Sequence, residues 1–234
     1  MLFRSVGFSE SRCSWAWPIP ALDHADVAAL DVLALVLGQG ESSRLVQQVQ
    51  RELQLANDIG ASSWTPLHAG LWTVSLSTSP ERLAAARRAT LATLAELLRH
   101  GVSESEVAKA RNNVLADAIY KLETVEGLAH AAGYFAAATG DPHWDRHYHA
   151  AVASVTPADV LRVARTYLRP DTAQIVLMPG EKPCSCGPDE LLTEMRAALT
   201  TPAVASLALR TPDVLDGIER LDLPTGDKIG RAHV

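Results

Sequence analysis

LDVLALVLGQGESSRLVQQVQRELQL, residues 30–55, divides into two helices at a pair of glycines. Leu30, Val32, Leu33, Leu35, Val36 and Leu37 leave Asp31 almost alone among apolar neighbours, and a helix greasy on every face is a buried one. Gly38 offers the left-handed residue that ends such a helix, and Gly40 a second permissive position. Ser42 is placed to cap the next helix, in which Leu45, Val46, Val49 and Leu53 face inward while Gln47, Gln48, Gln50 and Glu52 face water. The pattern is buried helix, glycine turn, half-buried helix.

Outward from this pair, Arg12–Ile19 alternates, with Cys13, Trp15 and Trp17 on one face and Ser14 and Ala16 on the other, which is strand periodicity; Pro18 and Pro20 stop it or set its end at a sheet edge. Asn57–Trp64 and Gly70–Ser77 read as two more strands joined by a loop holding Pro66. Ser79-Pro80 opens a helix with Leu83, Leu91, Leu94 and Leu98 inward, closed at His100-Gly101. Ser103 and Glu106 have capping-box spacing ahead of a helix with Val107, Val114, Ala118 and Leu122 on one stripe. Further helices follow over Val125–Gly140 and His143–Ala153, and another starts at Thr156-Pro157 with Val160, Val163, Ala164 and Tyr167 inward. Ala173–Met178, short and continuously apolar, suits a central strand. The order predicts an α+β fold: a mostly antiparallel sheet with helices packed on one face.

With 47% apolar residues the 234-residue chain has ample material for a core, and a net charge of −6 argues against nucleic acid as partner. No apolar run approaches the length of a membrane span, and no signal peptide opens the chain, so a soluble protein is expected, its compartment open between cytoplasm and periplasm if bacterial. Residues 1–5 and 229–234 match translated sequencing adaptors and are set aside as foreign. Residues 6–179 form the main domain, 180–217 a linker with a possible helix over Asp189–Leu199, and 218–228 the start of a truncated next domain.

No HxxEH, HExxH, GxSxG, Walker or Rossmann motif is present. His143, His147 and His149 have spacings that could ligate a metal, but no supporting carboxylate or cysteine motif accompanies them. Cys184-Ser-Cys186 has too short a gap for a typical zinc or redox pair. The Gly38–Ser43 loop precedes a helix N-terminus but follows a helix, so a turn with a cap is preferred to a phosphate site. No catalytic set emerges, and no metal ligands are assigned.

Three stretches together resemble the pitrilysin family of zinc peptidases, which includes insulin-degrading enzyme and the mitochondrial processing peptidases. They are Leu-Gly-x-Gly-x-Ser-Ser-Arg-Leu with the following Arg-Glu before Leu-Ala, then GVSESEVAKAR (residues 101–111), then VTPADVLRVARTYLRPDTAQIVLMP (residues 155–179). The resemblance implies repeated α+β domains in two halves that close around a peptide, with the HxxEH zinc site in the first domain of a half. This chain is similar to the domain after it: a non-catalytic, substrate-enclosing domain of a zinc metalloendopeptidase, inactive alone. It implies no cofactor in this fragment, zinc in the domain upstream, and as partners that catalytic domain, the second half or a partner subunit, and the peptide substrate. A structural scaffold subunit of the same fold is the alternative. In active members an arginine and a tyrosine of the corresponding domain help to hold substrate. Arg51 matches the arginine, and the tyrosine position falls at Asn57 or Asp58, neither a phenol. Arg51 and Asn57 are therefore the candidate substrate or interdomain contacts.

Overall fold

The computed structural model describes residues 9–180 and 186–200. Four strands, β1 (Ser11–Ile19), β2 (Asp58–Trp64), β3 (Gly70–Thr78) and β4 (Gln174–Met178), form one antiparallel sheet in the order β2-β3-β1-β4. The helices are α1 (Val27–Gly38), α2 (Leu83–His100), α3 (Glu104–Lys121), α4 (Val125–Thr139), α5 (Trp144–Ser154), α6 (Pro157–Tyr167) and α7 (Pro188–Thr200), with a π-helical segment at Val46–Glu52. The α+β expectation is borne out.

The alternation read in β1 fixes the register. Cys13, Trp15 and Trp17 stand opposite Leu76, Val74 and Trp72 of β3, and Ile59 and Ala61 of β2 continue the same inner face. Trp17 and Trp72 pack at 5.9 Å between ring centroids, and both indoles are satisfied: Trp17 donates to the Arg169 carbonyl and Trp72 to that of Leu30. Against this face lies α1, buried almost throughout. Pro18 is tolerated because β4 pairs with β1 only as far as Ala16, so no strand lies beside the proline on that side.

Several local expectations are corrected. Gly38 does not take the left-handed conformation; only Gly40 of the pair has positive φ, at 81°. Gly38 is required because α1 ends against the backbone of β2, where a Cβ would overlap the Ala61 nitrogen and approach the Gly60 carbonyl carbon to 2.6 Å. Ser42 does not cap the next helix; its hydroxyl receives Lys109 of α3 instead. Leu53 is exposed, because the wide i→i+5 winding of Val46–Glu52 lags an α-helix and carries Leu53 off the stripe of Leu45, Val46 and Val49. Helix α2 starts at Leu83, not at Ser79-Pro80, which form a preceding turn. β4 is an edge strand rather than a central one: β3 and β4 occupy the two sides of β1, and Val176 and Met178 point outward to solvent.

The capping boxes at Ser103/Glu106 and Thr156/Asp159 are both complete. Beyond β4, α7 lies on α2 with Met195 fully buried, and Arg87 of α2 pairs with Glu194. The adaptor-like ends at 1–5 and 229–234, the truncated-domain segment 218–228 and Cys184 lie outside the described residues, as does part of the 180–217 stretch.

Candidate functional site

The face of the sheet turned away from the helices is built in rows. One row runs Asp58, Ser77, Arg12 and Met178 across the four strands; the next runs Gly60, Ser75, Ser14 and Val176; the third runs Ser62, Thr73, Ala16 and Gln174. Trp64, Leu71 and Pro18 close the face at an apolar end. Its centre is therefore small and hydroxylated, because the outward positions of the alternating strands are Ser, Thr, Gly and Ala. Ser14 and Ser75 share a hydrogen bond at 2.9 Å, and Ser62 and Thr73 one at 2.8 Å, which flattens the centre. Trp64, Leu71, Val176 and Met178 leave apolar surface open around it.

Arg51 and Asn57 flank this sheet at the β2 end, and each meets its own carboxylate. Arg51, in the last turn of the π-helical segment, pairs with Glu41, and its side chain remains half exposed. Asn57 donates from Nδ2 to Glu10 Oε1 at 2.8 Å, while its carbonyl accepts from Gln50. Asn57 N–H donates to the Ser77 carbonyl at 2.8 Å as β2 begins.

Arg44, which the glycine-rich motif carries, has a visible task. Its guanidinium donates through Nε and Nη2 to the two oxygens of Glu106 at 2.6 and 2.9 Å. Glu106 also accepts from Ser103 N–H and hydroxyl, so one carboxylate locks the turn after α1 to the start of α3. The hydrogen bonds from Arg44 outweigh burial and hold the Glu106 carboxyl down to about 2. Two of the three family-like stretches thus meet in space, a link carried by the i,i+3 spacing of Ser103 and Glu106 but invisible across the 62 residues between Arg44 and Glu106.

The metal candidates do not converge. His143 precedes α5 without a side-chain cap hydrogen bond, His147 packs on Trp144 and His149 on Tyr148. Among the described residues no three His, Cys, Asp or Glu side chains come together as a metal site, so the donor set present does not fit zinc and no metal step is derived from it. Cys186 lies 3.3 Å from Arg87 Nη2 at the α2–α7 contact, a packing position.

The family model described as the peptidase M16 inactive domain matches residues 4–114. Over those residues the chain is similar to the peptidase M16 inactive domain. The zinc protease PqqE of Helicobacter pylori is 26% identical over 165 residues, covering 69% of this chain and 36% of that protein. The uncharacterized zinc protease SCO5738 of Streptomyces coelicolor is 29% identical over 140 residues, covering 60% of this chain and 30% of that protein. The chain thus spans about a third of the length of the curated relatives it matches. Among solved structures, a protease from H. pylori superposes with a TM-score of 0.68 at 23% identity, over 75% of this chain and 42% of that one. The peptidase M16 inactive domain from Pseudomonas fluorescens gives 0.66 at 18% identity, over 76% and 43%. The pitrilysin resemblance read in the sequence is borne out, and the matched domain is the inactive one. Among the described residues no helix is long and apolar enough to cross a membrane.

Proposed function

We propose that this inactive domain walls the substrate chamber of a zinc metalloendopeptidase whose zinc and HxxEH site belong to an adjoining catalytic domain. The observation that supports it most is the outer sheet face: low in relief, lined by hydroxyls, and bordered by exposed Trp64, Leu71, Val176 and Met178. Such a face accepts an extended peptide of varied sequence, because hydroxyls bond backbone groups and the apolar border takes side chains without demanding one residue type. Binding energy gained on this remote wall orients the scissile bond at the metal, where a carboxylate base and zinc activate water. Arg51 and Asn57, at the β2 end of the wall, contact substrate carboxylates or the neighbouring domain. Asn57, unlike a phenol, is a weak oxyanion donor, so the direct role of that position belongs to the other half of the protease.

The test is a double substitution, Thr73→Glu with Ser75→Glu, in the protease that contains both domains. The expected result is a fall of about tenfold in kcat/KM, carried mostly by KM, with thermal stability little changed. Unaltered kcat/KM on several unstructured peptides would refute the wall.

A further inference from the structure

On the opposite side of the sheet a cavity of about 540 Å³ opens where α1, α3, α4 and α5 diverge over the end of β2. Its floor holds Asp31, the one charged residue within α1, which accepts a 2.6 Å hydrogen bond from the Tyr148 hydroxyl of α5. Ser63 Oγ, buried on β2 and without hydrogen-bond geometry to any partner, faces the same carboxylate. Tyr134 and Phe135 of α4, packed edge to face at 5.2 Å, form an aromatic wall.

We propose that this cavity binds a small organic cation, an ammonium or guanidinium on an apolar stem, with its charge on Asp31 and its stem against Tyr134 and Phe135. The charged side chains of the lining favour a cation: Asp31, Asp117 and Asp145 stand against Lys121. Among the described residues no cation forms an ion pair with Asp31, although Asp26, Glu106 and Asp171 all have arginine partners. A carboxylate held at that depth without a counter-charge opposes folding. Burial accordingly pushes the Asp31 carboxyl above its ordinary range, and the Tyr148 hydrogen bond offsets this only in part. With its folded pKa raised, Asp31 favours the fold most at low pH, and that contribution is lost as pH rises through the folded pKa. An arriving ammonium supplies the missing counter-charge, Ser63 and Tyr148 offer further polar contacts, and the aromatic pair adds stacking and apolar contact to the stem. None of these groups belongs to the sheet face assigned to the peptide, so this site stands or falls separately from the wall.

The probe is phenethylammonium, titrated into the full chain at pH 7.5 and followed by amide NMR shifts, with the isosteric neutral 2-phenylethanol alongside. Saturable shifts in α1, α4 and α5 are expected for the ammonium, at least tenfold weaker for the alcohol. Asp31→Asn keeps an acceptor for Tyr148, so it should fold with equal or higher thermal stability and lose the ammonium at least tenfold. Tyr134→Ala, at a half-exposed position, should weaken it about threefold with the fold intact. No saturable binding, equal binding of ammonium and alcohol, or undiminished binding by Asp31→Asn would each overturn the proposal.

Discussion

The half of the domain around β1, α1 and α2 and the arm formed by the end of α3 with α4 are stabilised by different physics. In the first, Trp15, Trp17, Trp72, Leu30, Leu33 and Leu37 are fully enclosed, and burial of apolar surface dominates. In the second, α4 buries no residue, and Ile119, Tyr120, Val125 and Leu128 lie open. The arm is shaped by end effects: Thr124 accepts from Gly127 N–H, Gly140 closes the C-terminus at φ 80°, and the Ser103–Glu106–Arg44 clasp anchors α3 at its base. The difference teaches that helical periodicity is not burial. A stripe at the right spacing is core only where the topology brings a second layer to cover it.

The sharpest break of this comparison is in the packed half. Leu33→Ala should destabilise the domain by about 2–5 kcal/mol, read as a shifted denaturant midpoint, since the cavity it leaves is walled on every side. Gly38→Ala should be comparably damaging, because its methyl meets β2 backbone rather than a movable side chain. A loss below 1 kcal/mol in both would show that α1 is less tightly seated than described.

At the clasp between the two regions the effect is intermediate and depends on pH. Glu106 has a folded pKa of about 2 against an ordinary 4.5. Its contribution is therefore fully present above pH 4.5 and is lost as pH falls toward 2. Glu106→Gln should cost about 1–2 kcal/mol at pH 7, after allowing for solvent screening at a partly exposed site. That difference should shrink between pH 4.5 and 2 in parallel melts of wild type and variant. A pH-independent difference would assign the loss to packing rather than charge.

In the arm the effects should be small. Val125→Ala, at a side chain 84% exposed, should change stability by less than about 0.5 kcal/mol. Thr124→Ala should speed hydrogen exchange within α4 while leaving α1 amides unchanged. Global destabilisation by either would mean that the arm is part of the cooperative core.

The strand-helix order was legible because β1 and β3 alternate cleanly and α1 is apolar on all sides, patterns that a buried sheet face and a sandwiched helix impose locally. The capping boxes were legible because both partners lie within three residues of each other. What escaped was set by distant chain. β4 resembles a central strand until β3 is seen to hold the other side of β1. Gly38 looks like a helix terminator until β2 is found pressed against it. The placement of Leu53 required the π-winding, of which the apolar spacing of Leu45, Val46, Val49 and Leu53 carries no sign. At the candidate site, the outer hydroxyl face follows from strand alternation, whereas the partners of Arg51 and Asn57, Glu41 and Glu10, follow only from the folded turns. The Asp31–Tyr148 contact spans 117 residues, and its only sequence trace is one carboxylate inside an otherwise apolar helix.

The account rests on this domain giving peptide a surface and leaving the bond-breaking to another domain. The most direct measurement incubates the purified chain, zinc added, with a quenched fluorogenic peptide library, with and without chelator. No hydrolysis above the buffer rate is predicted in either arm; steady cleavage that chelation abolishes and re-added zinc restores would contradict it.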